Sequence, residues 1–565
     1  MAIFCKESEY TLTFVSSYLH DKHHSPHNDE WNVGRLAELV FIGIPLYIFV
    51  SPENADEVAF LQGAHNIHIE VIDKSDLWVF KQLQQKPHSL PEFRNLEKDT
   101  EDHLAISLSK IELVDRVIEH NPWNTHHFAY IDFNITYLFS EKHKTYGYIQ
   151  QFAKRTFFNK MLTFPGCSSP VTIDNVGKLA DAINWRFCGG FFAGDADSLK
   201  KLWKDYQGYL VEYLDIYQKL TWDVNFWAWI ETVKRWDPIW YSANHNDSIV
   251  TAISADCITR NMVSVSRRVK HNFPVIAQFR PTSSSYLKTP DGRRWLNTRY
   301  VNYWLYNNGC YGYPTSLHII ENKNMLCELD VELNPIADTF VVVNEKIDIP
   351  KYPGDTFSKG LEDVRLYTSN SGVKFIATNV DYSPNGKNNM VIGDYSLEDK
   401  CVSNVQVVLP PVESWCEKNW IPISSNGGNE DLFIYKWSPF EVGRVNTATG
   451  SLEIVMSHMI NAPYFNKVRG STTFIEREDG LLGVVHFSED HNPRHYYHIL
   501  VLLEKESLWP LKYSNCFCFK SLGVEFCIGF TDELVDEYVF WTSQMDREPM
   551  TVFINKAEIP LCFDF

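Results

Sequence analysis

The sequence predicts two unlike domains, an α/β domain over residues 1–270 and an all-β domain over residues 271–565. In the first half, short β-branched and aromatic runs alternate with segments of helical periodicity, which is typical of a mostly parallel sheet covered by helices. From about Val275 onward, short apolar runs recur with Gly, Asn, Asp and Pro between them and without helical segments. This second pattern predicts a β-propeller, because roughly 290 residues suit about five blades.

The individual elements follow from the apolar runs and their spacing. In the first domain we expect strands at Thr11–Val15, Leu46–Val50, His68–Ile72 and Phe128–Asp132, and helical regions at Asp102–His120 and Leu199–Trp229. In the second domain the short runs are Phe340–Val343, Phe375–Ala377, Val405–Val408, Leu432–Tyr435, Leu482–Val485 and Tyr538–Trp541. No strict repeat accompanies these runs, so the predicted number of blades depends on length alone.

Composition narrows the class of protein. The formal net charge of -19 disfavours a nucleic-acid-binding protein, which usually has a basic excess. The longest apolar run, Leu39–Val50, contains Gly43 and Pro45 and is much shorter than the roughly twenty residues of a membrane-spanning helix. The 12 cysteines show no framework spacing, which favours free thiols in a reducing compartment. We therefore expect a cytoplasmic protein without an integral membrane segment.

The strand that ends at Asp132 carries the first chemical signal. Asn134 follows two residues later, and residues two apart in an extended chain face the same side. Two oxygen ligands on one side suit a hard divalent ion whose remaining positions are filled by diphosphate oxygens. The alternative is a turn at the end of a strand in which the acid caps a helix.

Three later segments add to this signal. Gly189 and Gly190 are adjacent glycines, which let a backbone approach a ligand closely. Asp223 lies among aromatic residues, where a carboxyl group can have a raised pKa and act as a base, or can instead cap a helix or pair with Lys219. His245 is a candidate metal ligand or a hydrogen-bonded surface residue. The histidine-rich run His20–His27 matches no fixed zinc spacing and is interpreted as a solvated loop.

The order of these motifs resembles that of a known family. Residues 10–250 resemble the bacterial HtrL/YibB family, whose members look like metal-dependent, nucleotide-sugar glycosyltransferases of the GT-A type. The matching segments are Leu12–Tyr18, Trp31–Leu36, Tyr130–Phe133, Gly189–Gly194, Asp223–Asn225, Tyr241 and His245. The resemblance implies a GT-A-like mixed α/β fold, Mn²⁺ or Mg²⁺ as cofactor, a nucleotide-sugar donor and a glycan or glycoconjugate acceptor. The implied roles are metal binding for Asp132, Asn134 and His245, substrate binding for Arg35, Gly189 and Gly190, and catalysis for Asp223.

Polar clusters also occur in the second domain, where strands end or turns begin. The clusters contain Glu362, Asp363, Arg365, Arg469, His486, Arg494 and His495. Equivalent strand ends of successive blades converge on the central channel of a propeller, where such side chains would bind sugar hydroxyls, carboxylates or phosphate. An acid there with a raised pKa could protonate a glycosidic oxygen, and Asp363 is the candidate.

The run Glu362-Asp363-Val364-Arg365 resembles the Glu-Asp-Pro-Arg signature of the five-bladed propeller mannoside phosphorylases (family 130 glycoside hydrolases) and related mannosyltransferases. This half also looks like propeller domains fused to transferases, among them proteins of large DNA viruses. The resemblances together imply a glycosyltransferase with a second glycan-active domain. Two alternatives stay open: a glycoside phosphorylase or hydrolase in which only the propeller is catalytic, and a non-catalytic glycan-binding protein. The sequence leaves the oligomeric state open.

Overall fold

A computed structural model describes residues 10–19, 29–155, 160–253, 255, 263–314, 318–423, 432–446, 448–460, 462–491 and 493–565. The run His20–His27 lies outside these residues. The chain divides into two compact units, Met1–Ile258 and Thr259–Phe565. Among the helices of the described residues, none combines the length and the apolar character needed to cross a lipid bilayer.

The first unit is built from strands and helices in alternation. Its strands are β1 (Leu12–Tyr18), β2 (Leu46–Val50), β3 (Ile67–Val71), β4 (His127–Ile131), β5 (Leu162–Gly166), β6 (Phe191–Asp195) and β7 (Ile239–Ser242). Its helices are α1 (Asp29–Phe41), α2 (Ala55–Val58), α3 (Trp78–Leu83), α4 (Glu101–Leu108), α5 (Lys110–His120), α6 (Lys142–Ala153), α7 (Ala196–Tyr217), α8 (Asp223–Lys234) and α9 (Ser248–Thr251).

The seven strands form one mixed sheet in the order β3-β2-β1-β4-β6-β5-β7. Strands β1 to β4 are parallel to one another, β6 is antiparallel to β4 and β5, and β7 is parallel to β5. The chain leaves β1 toward β2 and β3, and later returns to the other side of β1 with β4. The carboxyl ends of β1 and β4 therefore flank a point where the direction of winding reverses, and open α/β sheets bind ligands at such points. The mixed α/β sheet confirms the predicted class of the first domain.

The long helical region expected from Leu199 to Trp229 is two helices in the structure. Helix α7 ends at Tyr217 because Gln218 adopts a left-handed conformation with φ 51° and its backbone N–H closes the last turn on Leu214. Helix α8 then begins at Asp223, whose own carboxylate accepts the Val224 backbone N–H at 2.8 Å. The break places Asp223 at a helix N-terminus rather than inside a helix.

The second unit consists of short strands. They are β8 (Val265–Val269), β9 (Arg280–Lys288), β10 (Arg294–Val301), β11 (Trp304–Leu305), β12 (Tyr311–Gly312), β13 (Ile320–Leu329), β14 (Val341–Val342), β15 (Asn344–Glu345), β16 (Ser358–Lys359), β17 (Glu362–Ser369), β18 (Gly372–Asn379), β19 (Asn389–Ser396), β20 (Cys401–Val408), β21 (Ile421–Ile423), β22 (Leu432–Trp437), β23 (Phe440–Asn446), β24 (Ser451–His458), β25 (Arg469–Gly470), β26 (Ile475–Arg477), β27 (Gly480–Glu489), β28 (His495–Leu503), β29 (Pro510–Tyr513), β30 (Glu525–Thr531), β31 (Glu537–Gln544), β32 (Glu548–Asn555) and β33 (Phe563–Asp564).

These strands form five main sheets arranged as the blades of a propeller. The sheets are β9-β10-β13-β14, β17-β18-β19-β20-β15, β21-β22-β23-β24, β25-β27-β28-β29-β33 and β30-β31-β32-β8. Each sheet contacts the next along the chain, and β30 of the fifth packs against β9 of the first. The five-bladed propeller that the sequence predicts is therefore confirmed.

Strand β8 closes the ring of blades. Its residues pair antiparallel with β32, so the earliest strand of the unit completes the last blade. The predicted boundary after residue 270 leaves β8 with the first domain, and the structure corrects this by placing β8 in the second unit. The sequence does not reveal the pairing, because the two partners are separated by nearly the whole unit.

Candidate active sites

A cavity of about 440 Å³ lies at the carboxyl ends of β1 and β4 in the first unit. Ser17 of β1 and Asp132, which directly follows β4, both line it. Of the residues singled out in the first domain, the structure brings six to this cavity: Asp132, Asn134, Gly189, Gly190, Asp223 and His245. Arg35 is not among its lining residues, because its guanidinium lies over Trp31 and pairs with Glu38 at 2.9 Å.

A buried lysine joins the two acids of the cavity. The Nζ atom of Lys110, the first residue of α5, lies 2.9 Å from Asp223 Oδ2 and 3.3 Å from Asp132 Oδ1. It also donates a hydrogen bond of 2.8 Å to the backbone carbonyl of Gly189. One ammonium group therefore fixes two carboxylates and the glycine turn in a single arrangement. Sequence reasoning missed Lys110, and its only signal is a lysine within an apolar helical run.

The pKa values in this cluster are shifted by burial and by charge. Burial alone lowers the pKa of Lys110, but Asp132 and Asp223 outweigh burial and raise that pKa above its ordinary value, so the lysine is charged. Burial raises the pKa of Asp223, and Lys110 opposes this effect by favouring the carboxylate. Asp223 is therefore a carboxylate of increased basicity, as a general base requires.

The two glycines differ in how much room the structure leaves for a side chain. A Cβ atom on Gly189 would lie 2.9 Å from Asp223 Oδ2, which is closer than van der Waals contact allows. A Cβ atom on Gly190 would meet Asp132 Oδ2 at 3.4 Å, an ordinary contact distance. The backbone carbonyl of Gly190 also accepts the Asp132 N–H at 2.9 Å. Gly189 thus leaves room for the Asp223 carboxylate, and Gly190 positions Asp132 through its backbone carbonyl.

The donor atoms of the cavity permit a test of the expected divalent metal. The side chain of Asp132 is 31% exposed, and Asn134 lines the cavity from the turn that follows β4, so two residues with hard oxygen atoms lie at the cavity. These two residues fit Mn²⁺ or Mg²⁺, which bind oxygen ligands and retain positions for water or phosphate. His245 has different neighbours, because its Nδ1 lies 3.9 Å from the Cys167 thiol and its ring packs edge-on against Trp185.

A second cluster is buried in the propeller. Arg299 at the end of β10 donates to Asp363 Oδ1 at 2.8 Å and lies 3.5 Å from Glu362 Oε1. Lys418 pairs with Glu362 at 2.8 Å. Burial raises the pKa of Glu362, but Lys418 and Arg299 outweigh burial and hold that pKa at about 2. Asp363 has a φ of 54°, a left-handed conformation that aspartate tolerates better than most residues. Lys418 is a second residue that sequence reasoning missed.

Arg365, in β17 of the second blade, is fully buried and contacts residues of two other blades. Its guanidinium donates to the backbone carbonyl of Ser471 at 2.6 Å and to Asn419 Oδ1 at 3.0 Å. Ser471 Oγ in turn lies 2.8 Å from His486 Nδ1. Burial lowers the pKa of Arg365 to about 10 against the effect of the nearby acids. Arg365 thus makes structural contacts with two other blades, and the contact of His486 with Ser471 lies within the fourth blade.

The remaining propeller candidates lie in more open positions. Arg469, in β25, lines a cavity of about 380 Å³ together with Lys418. Arg494 is exposed and lies 3.7 Å from Asp490, and the ring of His495 stacks on His491. The structure therefore brings Glu362, Asp363 and Arg365 into one buried cluster and places Arg494 and His495 on accessible surface.

A buried histidine in β28 makes the stability of the propeller depend on pH. His498 is fully buried against Phe517 and Phe519, and burial lowers its pKa to about 3. Below pH 6.5 the unfolded chain takes up a proton that the folded chain cannot accept, so stability is present at neutral pH and decreases on acidification, by about 2 kcal/mol at pH 5. We expect His498→Phe to remove the part of the acid destabilisation that comes from this histidine. The measurement is the free energy of unfolding of the full chain, from urea denaturation at pH 7 and pH 5. The partly exposed His458 supplies the control variant His458→Phe, and equal acid sensitivity of His498→Phe and the wild type would contradict the prediction.

No protein-family model matches the sequence, and no curated protein matches it. Among solved structures, the chain is similar to a β-1,2-mannobiose phosphorylase from Listeria innocua, with 11% identity over 51% of this chain and 93% of that chain, at a TM-score of 0.34. It is similar to a mannose phosphorylase from Leishmania mexicana, with 13% identity over 56% and 95% of the two chains, at a TM-score of 0.36. A GDP-Man-dependent mannosyltransferase from Leishmania mexicana gives 13% identity over 52% and 90%, at a TM-score of 0.35.

Proposed function

We propose that the first unit is a glycosyltransferase that moves a sugar from a nucleotide-sugar donor to a glycan or glycoconjugate acceptor. The observation that carries this proposal is the cavity at the carboxyl ends of β1 and β4, where Asp132, Asn134 and Asp223 meet beside paired glycines. Its position at the reversal of the sheet suits a nucleotide. The order of the motifs in residues 10–250, which resembles that of the HtrL/YibB family, motivates the same assignment, although no family model matches the sequence.

Each of these cavity residues has a separate role in the proposed reaction. Asp132 and Asn134 would hold a divalent cation, which when bound supplies positive charge to the diphosphate leaving group. The carboxylate of Asp223, which lines the cavity, would accept the proton of the acceptor hydroxyl as that oxygen attacks the anomeric carbon and the bond to the diphosphate breaks. Lys110 holds Asp132 and Asp223 in one geometry, and the volume beside Gly190 accommodates the sugar.

The test is binding and turnover of a panel of nucleotide sugars by the full chain, with and without Mn²⁺. We expect one donor to bind in a metal-dependent way, and Asp132→Ala to lose that binding because the mutation removes the accessible carboxylate. Asp223→Asn should retain donor binding but lose about 10²–10⁴-fold in transfer rate, the usual contribution of a general base. Binding is measured calorimetrically and turnover as released nucleoside diphosphate.

A conservative change away from the cavity provides the control. Asp205→Asn alters an exposed helical pair with Lys201 and should leave both measurements unchanged. Absence of binding for every donor in both conditions would refute the proposal and favour the propeller as the only active site. Donor binding without transfer in the wild type would favour a glycan-binding role.

A second candidate function concerns the propeller. We propose that it is a glycan-active domain in which the buried acids Glu362 and Asp363 and the basic residues Arg299 and Lys418 face a sugar or its leaving group. The observation that favours this is the concentration of charge in one buried cluster, since buried charges are costly and often serve function. The test is release of phosphorylated or free sugar from mannosides. Release by the wild type that is lost in Asp363→Asn would support this second candidate function.

A further inference from the structure

Three soft-metal ligands meet at the same edge of the first unit's sheet. Cys167 directly follows β5 and His245 lies shortly after β7, and the carboxyl ends of these two parallel strands meet at one edge. Strand β6 is antiparallel to β5, so Cys188, which precedes β6, reaches that edge too. The topology therefore brings two thiols and an imidazole together from three separate loops.

The distances between these side chains suit a tetrahedral metal site. The two sulfur atoms are 3.3 Å apart, and Cys167 Sγ is 3.9 Å from His245 Nδ1. All three ligand atoms lie within 4.8 Å of one another. Zinc–sulfur bonds of about 2.3 Å and zinc–nitrogen bonds of about 2.0 Å require sulfur–sulfur separations of about 3.8 Å and sulfur–nitrogen separations of about 3.5 Å in a tetrahedron. The two sulfur atoms must therefore separate by about 0.5 Å, and His245 must approach Cys167 by about 0.4 Å, to reach this geometry.

The loops that carry the two cysteines are held firmly. Arg186, which is buried, forms two hydrogen bonds with Glu231 and donates to the Ser168 carbonyl at 2.8 Å. The Cys188 N–H donates to the Pro165 carbonyl at 2.8 Å. Both cysteines therefore lie next to residues with fixed backbone positions, and such support orients the ligands before the metal arrives.

We propose that Cys167, Cys188 and His245 bind a zinc-type divalent metal ion whose fourth position is open to the cavity. Thiolate and imidazole ligands select zinc over magnesium or manganese, so this site is distinct from the oxygen pair of Asp132 and Asn134. His245 lines the cavity and Cys188 directly precedes Gly189, which also lines it, so the three ligands lie beside the cavity. Each cysteine gives its thiol proton to solvent as its metal–sulfur bond forms.

The site has a consequence for the neighbouring glycines. Cys188 immediately precedes Gly189, whose carbonyl accepts a hydrogen bond from Lys110. A metal bound at Cys188 thus fixes the backbone at the start of the glycine pair. The proposal does not depend on the identity of the reaction, because metal uptake is measured on the protein without any sugar.

The experiment uses the full chain, purified under reducing conditions, stripped with a chelator and titrated with Co²⁺ and then Zn²⁺. We expect one equivalent of Co²⁺ to produce thiolate-to-cobalt absorption and the intense visible bands of tetrahedral coordination, and Zn²⁺ to displace it. Cys188→Ser and His245→Ala should each weaken Zn²⁺ binding on the order of 100-fold or more, since even outer-sphere partners contribute about 10–100-fold. The exposed Cys310 supplies the matched control, and Cys310→Ser should bind like the wild type.

Results on the wild type as well as on the variants can refute the proposed metal site. Absence of thiolate-to-cobalt absorption in the reduced wild type would refute it without relying on a variant that folds. A Cys167–Cys188 disulfide recovered by peptide mapping from protein kept under reducing agent would also refute it, because oxidised sulfurs do not bind the metal. Unchanged affinity in both Cys188→Ser and His245→Ala would assign the metal to other residues.

Discussion

Replacing Lys110 by methionine is expected to destabilise the first unit by about 3–5 kcal/mol, the usual cost of removing one partner from a buried ion pair. Methionine retains the length of the side chain but leaves Asp132 and Asp223 without their shared positive charge. The cost is large because Lys110 and Asp223 are both more than nine-tenths buried, so water cannot replace the lost partner. The measurement is urea denaturation of the full chain followed by peptide-resolved hydrogen exchange, which assigns the transition to the first unit.

Two further variants test whether the loss of stability comes from an unpaired buried charge. Lys110→Met combined with Asp223→Asn should recover part of the loss, because the second change removes the uncompensated buried charge. Lys201→Met breaks an exposed pair with Asp205 and should cost about 1 kcal/mol or less. If the double variant is as unstable as Lys110→Met, the loss does not come from the unpaired Asp223 charge, and the electrostatic interpretation of this pair is wrong.

Arg299→Met should have a comparable effect on the propeller, about 3–5 kcal/mol. Arg299 is buried and interacts with Asp363, Glu362 and the Asn322 side chain. Glu362 keeps its ion pair with Lys418 after the change, but the Asp363 carboxylate loses its ion pair with Arg299. The loss is measured by the same hydrogen-exchange assay on peptides of the second unit.

The controls for this variant come from the same unit. Arg293 also pairs with two acids, Glu328 and Glu398, but its side chain is 38% exposed, so Arg293→Met should cost about 1 kcal/mol or less. Arg299→Met with Asp363→Asn should be more stable than Arg299→Met, since asparagine tolerates the left-handed backbone at this position. Equal losses for Arg299→Met and Arg293→Met would contradict the role given to burial.

The class of each domain follows from local patterns in the sequence, and the structure confirms it. Short apolar runs alternate with helices in one half and with turns in the other, and both patterns depend on neighbouring residues only. The position of Asp132 was predictable for the same reason, because an apolar strand that ends in an acid delivers that acid to the edge of the sheet. The GT-A identity of the first unit remains a prediction.

The parts that sequence could not predict depend on distant contacts. A lysine in a helix is usually solvated, and only the packing of α5 beside β4 buries Lys110. The end of α7 could not be predicted, because Gln218 is neither a glycine nor a proline, the residues that usually mark the end of a helix. The meeting of Cys167, Cys188 and His245 requires the pairing of β5, β6 and β7, which no local spacing specifies.

The pairing of β8 with β32 also constrains how the propeller is made. Residues 265–269 are synthesised before the other strands of the propeller, but their partners, residues 551–554, are synthesised only after all strands of the first four blades except β33. Until then the growing blades present unpaired strand edges, which are prone to join other chains. The ring of blades therefore closes only when β32 pairs with β8. A stop codon that removes β32 would leave the ring open although the first three blades and most of the fourth had been completed.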